Sequence, residues 1–115
     1  MIEYTKQNHV ATFTLNNPPV NVWTPQLHKN FYQQLRKFLA DDDVRVGILT
    51  GTGDRAFSAG DDIKTPRVEH DLKTQVQKHL NGSAEDEDLE YPGWEREILR
   101  LPRYKPIIGA VNGVC

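Results

Sequence analysis

Residues 56–64 read Ala56-Phe57-Ser58-Ala59-Gly60-Asp61-Asp62-Ile63-Lys64, directly after a strand-like run Val46-Gly47-Ile48-Leu49-Thr50 and a turn Gly51-Thr52-Gly53-Asp54. A glycine preceded by two small residues lets the backbone turn sharply, so that the next N–H, that of Asp61, points outward. An amide presented in this way can hold the negative charge that develops on a carbonyl oxygen. Phe57 would anchor the turn in apolar surroundings, while Ala59 and Gly60 keep the space around it small. The position after a strand is also where open α/β folds tend to place their ligands. From its type alone, the glycine is better explained by a plain strand–turn–helix connection.

Other groupings offer less. Asp61 and Asp62 could be a carboxylate pair for proton transfer or metal binding, but adjacent side chains usually diverge and no third ligand follows at useful spacing. Asp62 fits better as a cap on the turn or on a following helix. His9, His28, His70 and His79 are scattered, and none pairs with the single cysteine, Cys115, in a zinc-type spacing. Gly51-Thr52-Gly53 completes neither a dinucleotide nor a phosphate-loop motif. No metal site is expected.

The elements that must position residues 56–64 come from periodicity. Ile2 and Tyr4 alternate with polar neighbours, Lys6-Gln7-Asn8-His9 reads as a turn, and Ala11, Phe13 and Leu15 then share one face, which predicts a hairpin. Pro18 and Pro19 break the pattern. Thr24 as N-cap with Pro25 at the first helical position opens a helix whose stripe is Leu27, Phe31, Leu35, Phe38 and Leu39. Asp41-Asp42-Asp43 ends it, with a charge sign that a helix C-terminus disfavours. Strands are predicted over 44–50 and 107–111, both nearly all apolar, as for strands covered on both faces. Leu72, Val76 and Leu80 mark a helix near 69–80. Residues 81–90 read as an acidic, mobile connection. Trp94, Ile98 and Leu101 mark a third helix, its apolar side in the core.

The bulk numbers exclude several classes. A chain of 115 residues fits one domain, and 37% hydrophobic with 26% charged residues argues for a folded body. A formal net charge of −2 gives no basic field for nucleic acid. No apolar stretch is long enough for a membrane span. A single cysteine and no secretory or transit signal make the cytoplasm the expected location.

Four stretches also carry a resemblance. Residues 56–64 match the pattern A-F-S-A-G-x-D-(I/L)-K. Asn17-Pro18-Pro19-Val20-Asn21-Val22 is similar to N-R-P-x-x-x-N-A, Val44-Arg45-Val46-Gly47-Ile48-Leu49-Thr50-Gly51 to a V-R-x-V-I-L-T-G strand, and Lys105-Pro106-Ile107-Ile108-Gly109-Ala110-Val111-Asn112-Gly113 to K-P-V-I-A-A-V-N-G. In this order they resemble the N-terminal part of the crotonase family, the enoyl-CoA hydratases and isomerases, over nearly the whole chain. The resemblance implies an α/β fold, the N-terminal portion of a crotonase-like ββα spiral, with residues 1–115 as part of one domain. It implies an acyl-CoA thioester as substrate, with coenzyme A entering as part of that substrate and no permanently bound cofactor. The Asp61 N–H would be one of two donors holding the thioester oxygen of an enolate. Ala59, Gly60, Asp61, Asp62 and Ile63 would line the coenzyme, and Lys64 would approach its phosphates, unless it is a solvated surface lysine. Val20 is placed beside the pantetheine arm, but packing in the core is the favoured reading for it. Asp61 departs from the small or neutral residue usual at its position, and its carboxylate must point away from the oxyanion.

Family members are well over twice as long, and the resemblance places the second donor, the acid–base glutamates and the trimer-forming helices beyond Cys115. Glu85, Glu87 and Glu90 match none of these roles. The 115 residues are therefore expected to be inactive by themselves, and a complete protein to be a homotrimer or hexamer. The competing function is a non-catalytic acyl-CoA-binding or subunit-interaction protein.

Overall fold

A computed structural model describes residues 1–65, 71–81 and 93–115. The elements are β1 (Ile2–Gln7), β2 (Val10–Leu15), α1 (Pro25–Ala40), β3 (Val46–Gly51), α2 (Leu72–Asn81), α3 (Gly93–Arg100) and β4 (Ile107–Ala110). Their sheet has the order β1-β2-β3-β4. β1 and β2 are antiparallel, with Tyr4 opposite Phe13, whereas β2–β3 and β3–β4 are parallel and put Phe13, Leu49 and Gly109 in one row. Parallel neighbours require crossovers; α1 lies in the first, and α2 and α3 lie in the second.

The hairpin forms as expected but turns more tightly. Asn8 and His9 both take positive φ, so Lys6 and Gln7 stay in the ladder opposite Ala11 and Val10. Ala11, Phe13 and Leu15 are fully buried. Phe13 meets Phe31 and Phe38 of α1 edge-to-face, with centroids 5.5 Å apart in each pair. Leu27, Leu35 and Leu39 complete the stripe, and Trp94 and Ile98 of α3 join the same cluster.

Thr24 caps α1, its Oγ1 accepting from the Leu27 N–H at 3.1 Å. At the other end, the Lys105 ammonium donates to the carbonyls of Phe38 (2.8 Å) and Asp41 (2.5 Å), and Lys6 meets the Asp41 carboxylate at 2.9 Å. These cations offset the unfavourable acidic run at the helix C-terminus.

Several boundaries differ from the expectation. β3 begins at Val46, because the parallel ladder starts opposite Val10; Val44 is instead a buried residue of the preceding turn. Gly51 belongs to β3, paired with Leu15. β4 ends at Ala110 and is an edge strand, with Ile108 and Val111 more than half exposed, so it is not covered on both faces. α2 spans 72–81, and its apolar stripe, Leu72, Val76 and Leu80, is exposed. The expected mobile segment lies outside the described residues, apart from Asn81.

Candidate functional site

Residues 56–65 are held between two backbone bridges. On one side Ala56 pairs in parallel with Val114, through Phe57 N–H to Val114 O (2.9 Å) and Val114 N–H to Arg55 O (3.3 Å). On the other side Asp61 pairs in parallel with Trp23, which precedes the α1 cap. Trp23 donates its N–H to Gly60 O at 2.8 Å and accepts from the Asp62 N–H at 2.9 Å. In a parallel pair, the residue whose two neighbours make the bonds turns its own N–H and C=O to the opposite side. The Asp61 N–H accordingly faces away from Trp23, and among the described residues it meets no acceptor.

The turn that achieves this needs Gly60, whose φ is +81°. A side chain there would find open space, so the restriction is purely conformational. Gly51 is restricted by proximity instead: a Cβ would lie 2.6 Å from the Phe57 carbonyl oxygen, so only glycine lets β3 run this close to the loop.

Three polar side chains that the sequence reading did not single out fix the loop. Asn21, buried, donates through Nδ2 to Ala56 O at 2.9 Å, and its Oδ1 accepts from the Asn17 N–H at 3.1 Å. Ser58, also buried, donates to Asn21 O at 2.9 Å and accepts from the Gly60 N–H at 3.1 Å. Asn112 embraces Gly51, donating to its carbonyl at 2.6 Å and accepting from its N–H at 3.0 Å. Both asparagines stood inside quoted motifs, but an asparagine's type does not reveal which distant carbonyl it will reach.

The other expected site residues are placed as follows. Ala59, Gly60, Ile63 and Lys64 are exposed, Ile63 at 89%. Asp62 closes the turn as its capping reading anticipated: it accepts from the Lys64 N–H at 2.8 Å and from the Thr65 hydroxyl and N–H. The Thr65 hydroxyl first, and then the Lys64 N–H, hold its carboxyl below the usual aspartate range. Val20 is half-buried and lies outside the core, contrary to the favoured packing reading, and its carbonyl accepts from the Ala59 N–H at 2.9 Å.

The Asp61 carboxylate is directed at α1, with Oδ1 3.6 Å from His28 Nε2. Glu95 of α3 approaches the other ring nitrogen, Nδ1, also at 3.6 Å. His28, Asp61 and Glu95 each bring one ligand-capable atom within 4.8 Å of the others. No local spacing could have joined residues this far apart in the chain. The His28 Nδ1 lies 3.1 Å from the Thr24 carbonyl, and the Trp23 ring stacks on the imidazole at 5.0 Å. His70 lies outside the described residues, and Cys115 is exposed. Away from the loop, Phe31, Leu35, Leu49, Lys105 and Ile107 line a cleft of about 550 Å³.

The family model described as enoyl-CoA hydratase/isomerase matches residues 5–115. The chain belongs to the enoyl-CoA hydratase/isomerase family. It is 33% identical over 112 residues to the 1,2-epoxyphenylacetyl-CoA isomerase of Escherichia coli (strain K12), covering 92% of this chain and 37% of that protein. It is 31% identical over 109 residues to the (E)-benzylidenesuccinyl-CoA hydratase of Thauera aromatica, covering 92% and 37%. The solved enoyl-CoA hydratase of Mycobacterium avium is 30% identical with a TM-score of 0.64, over 97% of this chain and 38% of that one. The chain thus spans somewhat over a third of these relatives, and its small mixed sheet with flanking helices is the N-terminal portion of the crotonase-like fold. Relatives in the enoyl-CoA hydratase/isomerase family carry the names of enzymes that act on CoA thioesters. Among the described residues, no helix is long and apolar enough to cross a membrane.

Proposed function

We propose that residues 1–115 form the N-terminal part of one crotonase-type domain, and that they contribute the first oxyanion donor of a cytoplasmic acyl-CoA hydratase or isomerase. The observation that carries this reading is the outward-facing Asp61 N–H, fixed between two bonded neighbours at a glycine turn of positive φ. The thioester oxygen accepts from this N–H. As a proton leaves or joins the carbon beside the carbonyl, charge collects on that oxygen, and a donor already in place stabilises it without reorganising. One such donor is worth about 3 kcal/mol of barrier.

The Asp61 side chain does not oppose this, because its carboxylate turns toward His28. Coenzyme A runs along residues 59–63, with Lys64 at its phosphates and Val20 beside the pantetheine arm. No residue of this chain is assigned acid–base work; a second donor and the carboxylates come from the rest of a homotrimeric or hexameric enzyme. The 115 residues by themselves bind without turning over.

Two measurements test the proposal. The complete protein should hydrate or isomerise a 2-enoyl-CoA, followed by loss or shift of the enoyl absorbance. Calorimetry should show binding of an acyl-CoA and none of ATP or NAD. Binding without turnover by the complete protein would favour a non-catalytic acyl-CoA carrier, and binding of ATP or NAD instead would remove the thioester reading.

A further inference from the structure

Among the described residues, the groups recorded at the His28 ring nitrogens are all acceptors. Nδ1 faces the Thr24 carbonyl at 3.1 Å and the Glu95 carboxylate at 3.6 Å, and Nε2 faces the Asp61 carboxylate at 3.6 Å. A carbonyl can only accept, so Nδ1 carries a proton toward Thr24. The same ring, 11% exposed, presents Nε2 to the Asp61 carboxylate, and the Trp23 ring stacks on its face at 5.0 Å. Asp61 from the loop and Glu95 from α3 are the charged groups that these contacts bring to the ring.

We infer that His28 is a positioning residue that clamps the oxyanion loop, gripping the Asp61 carboxylate from α1 so that the Asp61 N–H stays aimed at the thioester oxygen. The inference rests on the proposed function for its catalytic consequence, though not for the clamp itself. His28 touches no reacting atom. It acts through Asp61, whose side chain meets His28 of α1 while its backbone serves the site. Each ring nitrogen has one carboxylate beside it at 3.6 Å, Asp61 at Nε2 and Glu95 at Nδ1.

The test uses the complete protein carrying His28→Gln, Asp61→Asn, or both. Each single change should lower kcat about tenfold while KM stays within about twofold, because a misaimed donor costs the transition state more than the ground state. The double variant should be no worse than the weaker single one. Multiplying losses, or an H28Q enzyme with full kcat, would overturn the clamp.

Hydrogen–deuterium exchange reads the clamp without activity. His28→Gln should speed exchange in a peptide covering residues 56–65 more than elsewhere, and a uniform rise, or none, would overturn it. Zinc retained by the wild type and lost in H28Q would also overturn it, in favour of a metal centre. Absence of enoyl-CoA turnover in the wild type would count against the proposed function, while exchange would still decide the clamp.

Discussion

Asp61 divides its work between backbone and side chain. Its N–H looks out of the loop, and its carboxylate looks back at α1. Gly60 makes the first possible, and its φ of +81° is the whole of its requirement, since a Cβ would meet nothing. Gly60→Val in the complete protein should therefore abolish turnover by resetting the backbone, with a fold cost of only about 1–2 kcal/mol. A variant with wild-type turnover would show that the donor lies elsewhere. Asn21 is more demanding: it is 2% exposed, takes φ +51° and is bonded at both ends of its amide. Asn21→Ala should cost about 2–4 kcal/mol in urea unfolding, and a loss under 1 kcal/mol would deny Asn21 its role as the loop's main tie. At this scale the sequence was partly legible. A lone glycine after small residues announces a turn through its backbone freedom. The partners of Asn21, Ser58 and His28 do not announce themselves, because a polar side chain's type says only that it needs a partner.

The elements were more legible, since each has a physical periodicity. Thr24-Pro25 and the stripe from Leu27 to Leu39 define α1 with its cap and buried face. The β3 start was missed because it depends on pairing with Val10 across the sheet, which no local pattern encodes. The surface ties of these elements are electrostatic. Lys6 donates to Asp41, and this bond is the first cause of the lowered Asp41 carboxyl and of the raised Lys6 amine. A carboxyl depressed on folding stabilises above its ordinary value of 3.8 and loses that contribution as pH falls through the lower folded value. The amine contributes below its ordinary value of 10.5 and stops as pH rises through the higher folded one. Lys6→Gln should thus flatten part of the fall in Tm below about pH 4. An unchanged acid limb would mean that the pair is solvated too well to matter.

At the scale of the molecule, one core serves β2, α1 and α3, whereas several large apolar side chains of α2 and of residues 108–114 stay exposed. Leu72, Leu80, Ile108, Val111 and Val114 are all more than half exposed. Apolar surface of this kind favours association. The 115-residue chain should therefore sediment as concentration-dependent oligomers or aggregates, and a monomer with a sharp, concentration-independent thermal transition would contradict this. The apolar runs of β4 and α2 were visible in the sequence. What covers them was not, because hydrophobic character tells that a face will be buried without telling by what.

The proposed function turns on the Asp61 N–H as one of two donors to the oxyanion. The most direct measurement replaces the amide at residue 61 of the complete protein by an ester, which deletes that hydrogen and leaves every side chain in place. A fall in kcat of about 100- to 1,000-fold is expected, with little change in KM. An ester-containing enzyme that turns over its enoyl-CoA at the normal rate would contradict it.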